Sequence, residues 1–136
     1  MNGLGFFRII DEAFVPFLAH LGFSMEGPCT GGRVYSASFS NETHSVGISF
    51  EPGDDRFLIL LFTKENGKLS EIDDRVKTPR LAELNERYMQ GVTREERAAN
   101  EAFFKSILAD DSQERVLLKY AKELRLVLPR HLGTKS

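Results

Sequence analysis

The run Cys29-Thr30-Gly31-Gly32-Arg33 sets a thiol and a guanidinium at the two ends of a glycine-rich segment. These are the residue types with which a nucleophilic cysteine holds and attacks a phosphate ester. In such a loop, backbone N–H groups and an arginine cradle the phosphate, and a helix N-terminus behind it supplies a dipole. Here the spacing is too short and the run leads into a strand-like segment, so thiol or phosphate chemistry at Cys29 ranks third among the functions considered. The histidines, His20, His44 and His131, are scattered, and none has a partner at the i+4 spacing of a zinc-binding helical pair. The adjacent acids Asp54-Asp55, Asp73-Asp74 and Asp110-Asp111 read as solvated turns and caps and match no calcium-loop spacing. There is no P-loop, dinucleotide fingerprint or nucleophile elbow. The sequence therefore names no catalytic residue, metal ligand or cofactor, and it reads as a non-enzyme.

Basic residues offer a different chemistry. From Arg115 to the end of the chain Glu123 is the only acid, and Arg115, Lys119, Lys122 and Arg125 line one side of the last helical segment. A stripe of this kind binds phosphates, but nucleic-acid surfaces usually interleave aromatic rings for stacking, and here Tyr120 turns toward the apolar side. Nucleic-acid binding through this face is the alternative reading of function.

The elements that must carry these residues follow from hydrophobic spacing. With 136 residues, 41% hydrophobic and 28% charged, the chain has the size and composition of one soluble domain spanning 1–136. The single cysteine agrees with a reducing cytoplasm. The apolar stretch LGFFRIIDEAFVPFLAHLGF has no basic leader and is interrupted by Arg8, Asp11 and Glu12, so it reads as a helix over 1–22 and neither a signal peptide nor a membrane span. Its stripe runs from Phe6 and Phe7 to Leu18 and Leu21; Pro16 predicts a kink or break near Val15, and Gly22 a stop. The sequon Asn41-Glu42-Thr43 reads as a turn.

An antiparallel sheet is expected over 33–72, after a loop at EGPCTGGR. A turn centred on Asn41 and Glu42 pairs Phe39 with His44, Ala37 with Val46 and Tyr35 with Ile48. A second turn centred on Gly53 and Asp54 pairs Phe50 with Phe57, Ile48 with Ile59 and Val46 with Leu61. The strand RFLILLFT is apolar on both faces, the mark of a central strand. Asn66-Gly67 then signals a type I′ turn into a shorter fourth strand through Leu69 and Ile72. Helices occupy 79–129: one to Gly91, one opened by the capping box Thr93/Glu96 with Ala99, Ala102, Phe103 and Ile107 as its stripe, and one opened by a similar box at Asp111/Glu114 and ending before Pro129. Residues 130–136 read as a tail, frayed over its last few residues. The expected fold is α+β, with an N-terminal helix, a four-stranded antiparallel meander and three C-terminal helices.

The segments PFLAHLGF and RVYSASFSNETHSVGISF together resemble a group of small bacterial α+β proteins of unknown function, some of which are immunity-like and block a toxin by binding it. The resemblance covers the first half of the chain and carries over no functional residue. It implies a bacterial non-enzyme that works by occupying a partner.

The leading functional reading is accordingly a cytoplasmic, non-catalytic protein-binding module. Its candidate surface is the sheet face opposite the core. There Ser36, Ser38, Ser45, Gly47 and Ser49 supply small groups, and Leu58, Leu60 and Phe62 on the neighbouring strand supply apolar contact. Coverage of this face by the C-terminal helices is the favoured arrangement and would make it ordinary core. Helices packed beside the N-terminal one would leave the strip open to a protein partner or to a second copy in a homodimer.

Overall fold

The computed structural model describes residues 1–31 and 33–133, with the side chains of residues 28–31 outside the description. The thiol of Cys29, the backbone of Gly32 and residues 134–136, where the sequence suggested a frayed tail, therefore fall outside the described residues.

The N-terminal helical segment is built from α1 (Gly3–Ile9), a π-helical turn (Ile10–Phe14) and α2 (Val15–His20). In the wide turn the Val15 N–H bonds the Ile10 carbonyl, five residues back. Pro16 has no N–H to give and would crowd a regular turn; the extra residue in the π-turn accommodates it, so the helix continues where a kink or break was expected. Gly22 ends it at φ 90°. Its N–H bonds the Ala19 carbonyl (3.0 Å) and that of Phe23 bonds Leu18 (2.9 Å), the paired closure that a left-handed residue permits.

The sheet has five strands, not four: β1 (Ser24–Gly31), β2 (Val34–Ser40), β3 (His44–Glu51), β4 (Arg56–Glu65) and β5 (Lys68–Leu69), antiparallel and in chain order. The additional strand is the segment read as a glycine-rich loop. It forms an edge strand whose register shifts between Met25 and Pro28, an arrangement that tolerates Gly27 and Pro28 at an edge. The β3/β4 register is the expected one, with Phe50 opposite Phe57, Ile48 opposite Ile59 and Val46 opposite Leu61. Between β2 and β3 the register lies two residues from expectation, with Phe39 opposite Val46, Ala37 opposite Ile48 and Tyr35 opposite Phe50. The turn is centred one residue further on, at Glu42 and Thr43: the Asn41 N–H donates to the His44 carbonyl (3.0 Å), and its side chain accepts from the amides of Thr43 (2.9 Å) and His44 (2.7 Å). Both loops are even, so every side chain keeps its predicted face. β5 ends at Leu69, and Ile72 lies beyond it, half exposed.

The C-terminal part contains α3 (Leu81–Tyr88), a 3-10 turn (Met89–Gly91), α4 (Arg94–Phe104) and α5 (Ser112–Leu132). The Thr93/Glu96 capping box forms as read. The second box does not: Asp111 caps the Glu114 N–H at 2.8 Å, but the Glu114 carboxylate turns to the Asp110 N–H (3.0 Å) and to Arg8. On α4 the buried positions are Asn100 and Phe104, while Ala99, Ala102 and Phe103 are exposed. α5 continues through Pro129 to Gly133, because the apolar positions Val127 and Leu128 hold its last turn in the core.

All of these helices contribute to one hydrophobic cluster on one face of the sheet. Phe6, Ile9, Phe14 and Leu18 meet Ala37, Phe39, Val46, Ile48, Phe50, Ile59 and Leu61 of the sheet. Leu84, Phe104, Leu117, Leu124 and Leu128 complete it. α5 thus packs beside the N-terminal helix, and the favoured arrangement, C-terminal helices over the second sheet face, is replaced by the other one considered.

Candidate functional site

The second sheet face explains its own composition. Across it Ser36 pairs with Ser49, Ser38 with Gly47, Gly47 with Leu60, and Ser45 with Phe62. The Phe62 ring lies beside Gly47, where an added Cβ would meet Cε2 at 3.4 Å, an ordinary contact distance. On this face the β4 ring of Phe62 thus packs against the small Gly47 of β3. The strip is uneven as a result. Leu60 is 5% exposed and Ser45 4%, whereas Ser36, Ser38, Gly47, Ser49, Leu58 and Phe62 are half-buried. Leu58, Leu60 and Phe62 stand outside the main hydrophobic cluster.

At the side of this face, where β4 meets α3 and α5, is a cleft of about 210 Å³. Its apolar wall is Phe57, Leu58, Ile59 and Leu81, and Tyr120 meets Phe57 edge to face at 5.7 Å. Arg80, Asn85 and Glu123 supply its polar groups. Asn85 donates through Nδ2 to Glu123 Oε1 at 3.1 Å. Two buried atoms, Arg80 Nη1 and Asn85 Oδ1, have no hydrogen-bond partner among the described residues. Sequence reading did not single out any of these polar residues, because they come from segments far apart in the chain and match no motif.

The basic face is divided. Arg115 and Lys119 are exposed. Lys122 instead pairs with Glu101 at 3.0 Å, and Arg125 donates to Asn100 Oδ1 at 2.8 Å and lies 3.9 Å above the Phe103 ring. α4 takes up two of the four cations that a phosphate backbone would need. The acidic pairs take turn and cap positions: Asp74 accepts from the Val76 and Lys77 amides, Asp111 caps α5, and Asp55 accepts from Gln113. Among the described residues no group of three or more His, Cys, Asp or Glu is placed to hold a metal ion, and no helix is long and apolar enough to cross a membrane.

Two of the scattered histidines meet. His44 opens β3 and His131 lies in the last turn of α5, with ring centroids 6.3 Å apart. Thr43 Oγ1 lies 2.8 Å from His44 Nδ1, and the Tyr88 hydroxyl 2.9 Å from His131 Nδ1. Burial pushes both imidazoles below the ordinary histidine range, and Arg87 and His44 add repulsion at His131. The folded state therefore prefers both rings neutral, while the unfolded chain protonates them at higher pH. Stability is expected to be full above the unfolded value near 6.5 and to decline as pH falls below it. A urea midpoint measured from pH 7.5 to 5.5 should decrease, and the double variant His44→Gln/His131→Gln should flatten that slope. An unchanged slope in the double variant would assign the effect elsewhere. Glu96, lowered chiefly by its hydrogen bond from Arg130, loses its contribution only in the more acid carboxylate range.

No family model matches the chain, and no curated protein or solved structure shows significant similarity to it.

Proposed function

We propose that the protein is a non-catalytic binding module of the bacterial cytoplasm, immunity-like in that it acts by occupying the surface of a partner protein. The observation that carries this reading is the collection of the helices on one face of the sheet. The opposite face then presents Leu58 and Phe62, half-buried, among half-buried Ser36, Ser38, Gly47 and Ser49. Large apolar groups set among small polar ones suit an interface core with a wettable rim. The alternative, nucleic-acid binding through the basic face, is weakened because Lys122 and Arg125 are already engaged by α4.

Phe62→Arg tests the reading, since this ring is partly exposed and lies against Gly47 without entering the main cluster. The variant should stay folded by circular dichroism. On sizing chromatography and in co-purification from the native cell, it should lose the dimer or the protein that accompanies the parent. If parent and folded variant have the same mass and the same companions, this face is not the interface.

A further inference from the structure

The cleft beside β4 follows a strand edge that is only partly paired. β5 occupies the outer edge of β4 at Lys64 and Glu65. Nearer the middle, Thr63 donates to the Lys77 carbonyl (3.1 Å), Leu61 donates to that of Pro79 (3.0 Å), and Leu60 bridges to Arg80. There the chain leaves the edge and turns into α3. In an antiparallel strand alternate residues face the same edge, so Phe57 and Ile59 turn their amides the same way as Leu61 and Thr63. Against the outer edge of β4, the one away from β3, no strand lies from Arg56 to Leu58 among the described residues, and the cleft opens along this length.

We propose that the cleft receives an extended peptide segment of a partner protein. The segment continues the outer edge of β4 beyond Arg80 and seats one apolar side chain in the cavity. Three observations select this occupant. The edge at Phe57 offers main-chain groups, which only another main chain satisfies in repeat; this is the strand-addition mode of peptide recognition. The two unpartnered atoms are one donor, Arg80 Nη1, and one acceptor, Asn85 Oδ1, and a peptide group carries the matching C=O and N–H. A simple anion would satisfy Arg80 alone and would meet the Glu123 carboxylate in the same cleft. Finally, about 210 Å³ falls below the roughly 300 Å³ at which small-molecule pockets begin, and suits a single side chain lying against Phe57, Leu81 and Tyr120.

This inference uses the edge of β4 and does not depend on the face bearing Phe62, so Phe62→Arg and the test below can fail separately. Random octapeptides displayed on phage are selected on the folded protein, and an enriched sequence is synthesised with blocked ends. Saturable binding of that peptide should shift the backbone amide resonances of Phe57 and Ile59 and the side-chain amide of Asn85. Ala82→Trp, at an exposed α3 position lining the cleft, should bind at least tenfold more weakly while keeping the parent's melting temperature. Asn85→Leu should weaken binding to a similar degree. N-methylation of the peptide at every second residue should abolish binding in one phase of the alternation and spare it in the other. The proposal is overturned if no sequence is enriched, if enriched peptides bind Ala82→Trp as tightly as the parent, or if N-methylation is tolerated in both phases.

Discussion

Replacing Leu60 with arginine is expected to cost about 4 kcal/mol or more, enough to unfold a large fraction of a domain whose whole stability is on the order of 5 to 15 kcal/mol. Leu60 is 5% exposed although it lies on the face away from the main cluster. It sits between Leu58 and Phe62 along β4, opposite Gly47, and bridges to Arg80 on the other side. An arginine there loses the leucine's apolar contacts, meets a second guanidinium at Arg80 and has no carboxylate opposite. Thermal melting followed by circular dichroism reads the result. A variant melting within a few degrees of the parent would show that Leu60 lies at an open surface. Together with the milder Phe62→Arg this maps the strip, since only its half-buried members are available to a partner.

Arg8→Met is expected to cost about 3 kcal/mol. Arg8 reaches from α1 to the start of α5, where Nη2 pairs with Glu114 and donates to the Leu108 carbonyl (2.8 Å), while Nη1 meets Glu12 at 3.3 Å. The Glu114 side chain is only 6% exposed, and Gly5 leaves the space for it, since a Cβ there would come within 2.6 Å of Glu114 Oε2. Removing the cation strands a buried carboxylate that, among the described residues, keeps the Asp110 N–H (3.0 Å). The cost falls toward the lower end for a broken buried pair because Arg8 is itself partly exposed. Glu114→Gln should cost less, because it removes the buried charge and leaves an arginine that water can reach. Urea unfolding of both variants gives the order; a Glu114→Gln loss equal to or above that of Arg8→Met would contradict this account of the pair.

The contrast between these two sites shows where sequence reading reaches and where it stops. Alternation along β2, β3 and β4 assigned faces correctly, since a residue's face depends only on the parity of its position, and the β2/β3 register error of two residues preserved parity. The position of that turn was harder, because it depended on the Asn41 side chain bonding the amides of Thr43 and His44. β1 was missed because Gly27, Pro28 and Gly31 have loop composition, and an edge strand with an irregular register needs less propensity than a central one. On α4 a stripe of Ala99, Ala102 and Phe103 looked apolar, yet the helix turned Asn100 inward, where it donates to the Lys122 carbonyl (3.0 Å) and accepts from Arg125. Helix packing chose the face that could bond α5, a choice invisible in either helix alone. The partner of Arg8 was hidden for the same reason: it lies over a hundred residues away in the chain. The cleft belongs to this class too, since Arg80, Asn85 and Glu123 become neighbours only once α3 and α5 are docked beside β4.

The chain that runs beside β4 before α3 has a further consequence for how this protein survives at high concentration. Phe57–Phe62 is an uncharged, proline-free, strongly β-forming run, the composition from which intermolecular cross-β stacks are made. One of its edges is occupied by β3. Over Leu60–Thr63 the other is shielded by residues 77–80, and that shield is itself held by Thr78, which is fully buried, donates its hydroxyl to the Glu71 carbonyl (2.7 Å) and its amide to Asp74 (2.7 Å), and meets Ser70. A few hydrogen bonds in an otherwise exposed loop thus keep this stretch of edge from pairing with another chain. Selection on the 70–78 loop would then act through aggregation as much as through stability of the fold.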